Sequence, residues 1–239
     1  MKRIILSVTV LGLLATVATA QNANITWQTP AFISGASDVS TLGTYLGSWA
    51  PQDGGANTLP VNGVTFQGFS DLSGLTPGAT FDNGYSGFAS PGTADANYNA
   101  LLQYARFSNE TGPATITWGG MTAGDTYLVQ FWVNDARNST VNGRTETITG
   151  GADTSAALAY GAGDTGAGQY IIGTFIADSS GTEALTLTPT GTININPSAQ
   201  VNLLQVREIA SVPEPASLAL LAGGAGAMAF GLRRKLQGK

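Results

Sequence analysis

Between residues 21 and 211, short apolar runs alternate with polar positions and are separated by Gly, Asn, Asp and Pro. This is the pattern of short strands joined by tight turns. Ile25-Thr26-Trp27-Gln28 opens the series. Gly63–Phe69 sets Val64 and Phe66 against Thr65 and Gln67, and Ala114–Trp118 alternates as well. Asp125–Val133 is the strongest run, with Tyr127, Val129, Phe131 and Val133 on one face and Thr126, Leu128, Gln130 and Trp132 on the other. Apolar residues on both faces predict a central strand whose second face is partly covered. Arg144–Thr149 alternates polar residues and is expected to face solvent. Gln169–Ile176, Glu183–Thr188 and Gln200–Ile209 complete the set. Helical periodicity is nearly absent: Tyr98–Phe107, with Leu101, Leu102 and Ala105 on one side, predicts a short helix or turn leading into a strand. About eight to nine short strands predict an all-β sandwich over residues 21–211.

The two ends break this pattern. Met1-Lys2-Arg3, the apolar run Ile4–Leu14 and the small-residue box Ala18-Thr19-Ala20 form a secretory signal peptide over residues 1–20, with Gln21 as the expected mature N-terminus. Its partners are the Sec translocon and signal peptidase. At the other end Val212-Pro213-Glu214-Pro215 precedes the uncharged stretch Ala216–Leu232 and the basic tail 233–239, which begins Arg233-Arg234-Lys235. Seventeen uncharged residues reach the short end of the ~17–25 needed to span a bilayer. Basic residues beyond the span stay cytoplasmic, and the prolines stop any helix running in from the body.

Pro213-Glu214-Pro215, a hydrophobic helix and a terminal Arg cluster, in this order, resemble the PEP-CTERM protein-sorting signal of Gram-negative bacteria over residues 212–239. The resemblance implies recognition by an exosortase, with Val212, Pro213, Glu214 and Pro215 as the recognition element and Arg233 and Arg234 as stop-transfer charges. It further implies transient anchoring in the inner membrane, then release or transfer to the cell surface, often in bacteria that make extracellular polysaccharide.

Composition narrows the chemistry. The chain of 239 residues holds no Cys and no His. This removes disulfides, thiol catalysis, imidazole-ligated metals and the Ser-His-Asp triad. No Gly-x-Ser-x-Gly elbow occurs. Nothing singles out a pair of carboxylates for glycoside hydrolysis, so no enzymatic activity is expected. The body has Arg106, Arg137, Arg144 and Arg207 as its basic residues, no lysine, and a large acidic excess. That balance argues against nucleic-acid binding.

A second resemblance rests on Asn62–Phe66, Gly124–Gln130, Gly168–Phe175 and Val201–Arg207 in that order. They resemble the strands of galactose-binding-like jelly-roll modules of secreted bacterial proteins. The resemblance implies a jelly-roll sandwich and, in many members, sugar binding.

Candidate sites follow from residue type. Tyr45, Trp49, Tyr85, Phe88 and Tyr98 fall in expected loops, where rings either stack on sugar faces or cap the sandwich as core. Asp71–Ala100 is a long, Gly- and Pro-punctuated segment, and such loops are disproportionately functional. Asp135 and Arg137 follow the strongest strand and either orient a polar ligand or form a structural ion pair. Trp49, Tyr85, Tyr98, Asp135 and Arg137 are therefore the candidate ligand-binding residues. No cofactor is required; calcium is the one candidate metal because oxygen ligands suffice. Asp38, Asp82 and Asn83 are its candidate ligands, against the alternative that they form turns. Asp95-Ala96-Asn97-Tyr98-Asn99 begins like a calcium loop but lacks the sixth-position Gly and the terminal Glu. The expected function is thus an exported, non-catalytic surface or extracellular-matrix protein, in contact with polysaccharide in a biofilm, or alternatively a carbohydrate-binding module.

Overall fold

The computed structural model describes residues 22–51, 58–68, 75–77, 81, 83–86, 90–108, 112–135, 143–161, 167–191 and 198–210. The expected leader with Ala18, Ala20 and Gln21 lies outside the described residues, as does the sorting segment from Val212 onward. The strands are β1 (Thr26–Trp27), β2 (Ala31–Phe32), β3 (Thr44–Ala50), β4 (Leu59–Val61), β5 (Val64–Gly68), β6 (Leu75–Pro77), β7 (Asn83–Ser86), β8 (Tyr104–Phe107) and β9 (Ala114–Gly119). They continue with β10 (Thr126–Val133), β11 (Arg144–Gly150), β12 (Asp153–Thr154), β13 (Leu158–Ala159), β14 (Gln169–Ile176), β15 (Thr182–Gly191), β16 (Gln200–Val201) and β17 (Leu203–Ala210). One helix, α1 (Ala96–Leu102), precedes β8. The chain folds as the expected β-sandwich. Short pairing segments of two to four residues raise the strand number beyond the expected set.

Two sheets form the sandwich. The first runs β1-β14-β10-β17-β3-β5-β4, with β2 also on β14; the second runs β12-β11-β15-β9-β6, with β13 on β11. A smaller sheet, β16-β8-β7, adjoins them. Between the large sheets lies one core, where Tyr127, Val129, Phe131 and Val133 of β10 join Ile116 and Trp118 of β9, Ile148 of β11 and Leu185 and Leu187 of β15.

β10 is central, paired with β14 and β17, and its second face is covered as its sequence requires. Trp132 is fully buried there, with Phe66, Tyr98, Leu101, Leu102 and Leu203. Its indole Nε1 donates to the Tyr98 hydroxyl at 2.6 Å, and Phe66 meets the ring edge-on at 5.9 Å between centroids. Helix α1 supplies the lid of this second core. It starts at Asp95, whose carboxylate accepts the Tyr98 amide at 2.8 Å as an N-cap. The expected helix-then-strand at Tyr98–Phe107 is therefore present, shifted two residues toward the N-terminus.

Two expectations change. Thr44–Ala50 carries no clean alternation, because Gly47 and Ser48 interrupt it, yet it pairs with β17 from Thr44 to Trp49. Arg144–Thr149 does not simply face solvent. Arg144, Glu146 and Ile148 turn inward, and Thr145, Thr147 and Thr149 turn outward. On that outer face threonines pair across strands, Thr145 with Thr190 at 2.8 Å, Thr149 with Thr154 at 2.9 Å and Thr115 with Thr186 at 3.3 Å between hydroxyls. β-branched pairs of this kind stiffen a sheet.

The first described residues bind both sheets. The Ala23 amide donates to Glu183 Oε2 at 2.8 Å, and Asn24 Oδ1 accepts the Ala152 amide at 2.8 Å. Ile25 is fully buried between Gly150 of β11 and Gly173 of β14, where a Cβ on either glycine would collide with its side chain.

Candidate functional site

β3 and β5 run parallel and pair only at Trp49–Gln67 and Ala50–Gly68. Earlier along both strands they separate, and the gap opens a cleft of about 380 Å3 lined by Thr41, Tyr45, Asn62, Thr65, Gln67 and Arg207, among others. The Tyr45 hydroxyl bridges the gap, lying 2.9 Å from Ser48 Oγ and donating to the Thr65 carbonyl at 3.2 Å. Tyr45 as a whole is 39% exposed. Thr65 and Gln67 present exposed side chains from the outward face of β5. Asn62 and Gly63 form the β4–β5 turn at φ 48 and 75, the left-handed backbone such a two-residue hairpin requires.

Arg207 forms the floor. It is 6% exposed on β17. Nε donates to the Leu42 carbonyl at 2.7 Å, and Nη2 donates to the carbonyls of Thr41 and Gly43 at 3.1 and 2.9 Å. The loop can approach this closely because residue 43 is glycine: at φ 75 a Cβ there would run into the Glu208 carbonyl. The Arg207 guanidinium carbon sits 5.9 Å from the centroid of the Tyr45 ring. Burial lowers its pKa from the ordinary arginine value. Among the described residues Arg207 has no carboxylate partner, and its Nη1 makes no hydrogen bond.

A second polar cluster is closed. Arg144 Nη1 lies 3.0 Å from Asp135 Oδ2 and donates to Gln200 Oε1 at 2.9 Å, while Nη2 donates to the Ser198 carbonyl at 2.6 Å. The guanidinium stacks 4.1 Å from the centroid of Tyr160. Tyr160 in turn donates to Glu146 Oε2 at 2.8 Å, which also accepts the Gln200 amide at 2.9 Å. Burial pushes the Glu146 carboxyl up to about 8, against the lowering effect of these hydrogen bonds and of Arg144. Its Oε1 is buried with no hydrogen-bond partner. This cluster lies inside the sandwich and holds its members in place.

Among the described residues the expected site residues do not converge. Trp49 is 7% exposed in the inter-sheet core, and Tyr98 is fully buried under α1. Both rings are core because their strands and helix face inward, and neither forms a sugar platform. Asp135 is an internal partner of Arg144, and so is no surface ligand group. Arg137 and Asp82 lie outside the described residues, as does the Tyr85 side chain; Tyr85 and Asn83 belong to β7, paired with Ala105 and Phe107. Asp38 accepts the Ser34 amide and hydroxyl and the Gly35 amide at 2.7, 2.7 and 3.0 Å. Its carboxylate closes a turn, as the alternative to a calcium ligand requires. Asp71–Ala100 is likewise no single loop, since β6, β7 and α1 fall within it. Sequence reasoning named Tyr45 but missed Arg207, Asn62 and Gln67. The usable signal was Arg207 itself, a rare cation in a strand whose Leu203, Leu204 and Val206 are core.

Residues 211–235 match the PEP-CTERM protein-sorting motif. The chain is thus an exported β-sandwich protein with an exosortase sorting signal, addressed to the cell envelope or surface. None of the curated proteins matches it. Among solved structures it is similar to the plant receptor-like kinase ANX2, with 14% identity and a TM-score of 0.53 over 72% of this chain and 51% of that one. It is also similar to the ANXUR2 extracellular domain from Arabidopsis thaliana (15% identity, TM-score 0.47, 81% of this chain and 52% of that). A third similarity is to a CBM35 from Paenibacillus barcinonensis (14% identity, TM-score 0.31, 56% of this chain and 92% of that). The chain spans about half the length of the two receptor structures. Likeness at this identity concerns the fold alone.

Proposed function

We propose that the chain is a non-catalytic protein of the cell surface or extracellular matrix, delivered as a folded β-sandwich and acting among extracellular polysaccharide in a biofilm. The observation that carries this reading is the sorting motif at residues 211–235 joined to a β body. Residues 1–20 serve as the leader removed by signal peptidase, residues 21–211 as the exported domain, and 216–232 as the transient membrane anchor before exosortase acts. The reading takes no cofactor; the Asp38 carboxylate is engaged by three hydrogen bonds of its own turn. Catalysis has no place in it either: the strongly raised carboxyls of Glu146 and Glu183 are buried in the sandwich.

Replacing Pro213-Glu214-Pro215 by three alanines tests it in the native host. The expected outcome is a larger, membrane-retained species and a reduced surface fraction, read by fractionation and immunoblot. Unchanged size and surface fraction would overturn it. A second reading, a carbohydrate-binding module, is favoured by the open cleft at Tyr45, where this half-exposed tyrosine stands beside exposed Thr65 and Gln67.

A further inference from the structure

We propose that the Tyr45–Arg207 cleft binds a sugar carboxylate, a uronic-acid residue of an acidic polysaccharide. The inference deepens the second reading above and rests on it.

The argument begins with a buried cation. Acidic residues outnumber the four arginines of the body several-fold, yet Arg207 meets no carboxylate among the described residues. Three loop carbonyls occupy Nε and Nη2. They hold the guanidinium in one orientation but leave its full positive charge uncompensated. A buried charge without a counter-charge is costly, so the site is poised for an anion. The unused Nη1 edge can donate to a carboxylate, the acceptor whose planar geometry suits a guanidinium.

The surroundings choose among anions. Tyr45 keeps its hydroxyl tied to Ser48 and Thr65 and so presents its ring with little freedom left to lose. A ring held this way offers an apolar platform for the C–H face of a pyranose. Thr65 and Gln67 stand exposed on β5 to bond ring hydroxyls. The cleft volume of about 380 Å3 lies within the ~300–1,000 Å3 range of small-molecule sites. An inorganic anion would use the guanidinium alone. A neutral sugar would use the ring and hydroxyls and leave the charge unanswered. A uronate uses all of them.

The test is a titration of the full-length protein in mild detergent with oligoglucuronate, oligogalacturonate, neutral oligosaccharides of equal length, and sodium sulfate. Binding of an acidic oligosaccharide is expected, weakened by added salt and by at least about tenfold in Tyr45→Ala. Tyr45→Ala leaves the Ser48–Thr65 bond that also spans β3 and β5. Gln67→Ala, at an exposed position, should also weaken binding, and a melting curve for each variant separates lost binding from lost fold. Arg207→Lys should lose the preference for acidic over neutral oligomers. Equal binding of acidic and neutral sugars, binding of sulfate alone, no binding at all, or wild-type affinity in folded Tyr45→Ala would each overturn the proposal. Neutral-sugar binding at the same cleft would sink the uronate and leave the carbohydrate reading standing, whereas silence with every sugar would sink both.

Discussion

Asp135 and Arg144 form an ion pair at 3.0 Å in the interior of the sandwich, with side chains 0% and 3% exposed. Asp135 lies two residues beyond the end of β10 and Arg144 begins β11, so the pair ties the two sheets together. The guanidinium is covered by Tyr160 and fixed by Gln200 and Ser198.

Removing one partner leaves the other charged and buried. Asp135→Ala should therefore cost about 3–5 kcal/mol of unfolding free energy, as breaking a buried pair does. Urea denaturation of wild type and variant checks this. A loss below about 1 kcal/mol, the usual worth of a surface pair, would mean that the pair is hydrated.

Stability should depend on pH in an unusual direction. Glu146 is raised to about 8 and Glu183 to about 7, both chiefly by burial. A carboxyl with a higher pKa in the folded chain keeps its proton there after the unfolded chain has lost it. The folded state then binds more protons, and stability falls as pH rises from about 4.5 toward 7 and 8. Each group contributes a slope of at most about 1.4 kcal/mol per pH unit. Melting temperature measured from pH 5 to pH 9 should fall and then level. Glu146→Gln should flatten the upper part of this curve; a wild-type slope in the variant would rule out Glu146 as its source.

Gly173 tests the N-terminal clasp. Its missing side chain makes room for Ile25 and for the ring of Trp27. Gly173→Val should push both away and cost about 1–3 kcal/mol, the usual cost of overpacking. Limited proteolysis should then release the first residues of the body before the rest. An unchanged digestion pattern would show that the clasp tolerates the bulk.

The parts of this fold legible in the sequence were those with two-sided or alternating apolar patterns. β10 announced its central position through Trp132 and Leu128 on the face opposite Tyr127 and Phe131. β9, β14 and β15 were legible for the same reason. β3 was hidden because Gly47 and Ser48 break its alternation, and it is ordered by β17 and not by its own pattern. Arg144 and Glu146 were misleading in a physical sense. Their polarity suggests solvent, and only partners distant in sequence, Asp135, Tyr160 and Gln200, make their burial affordable. The candidate cleft was illegible for a similar reason. Tyr45, Asn62 and Arg207 come from three separate elements, and nothing local in any of them signals the other two.

The scarcity of basic side chains carries a consequence for a protein left outside the cell. Proteases of the trypsin type need an accessible lysine or arginine. The body offers no lysine, and Arg144 and Arg207 are 4% and 6% exposed. Among the described residues the one other arginine, Arg106, is half-buried on β8. Aldehydes and other amine-directed reagents find no side-chain amine between residues 21 and 211. Cleavage by such an enzyme at Arg144 or Arg207 therefore waits on an opening of the fold that exposes them.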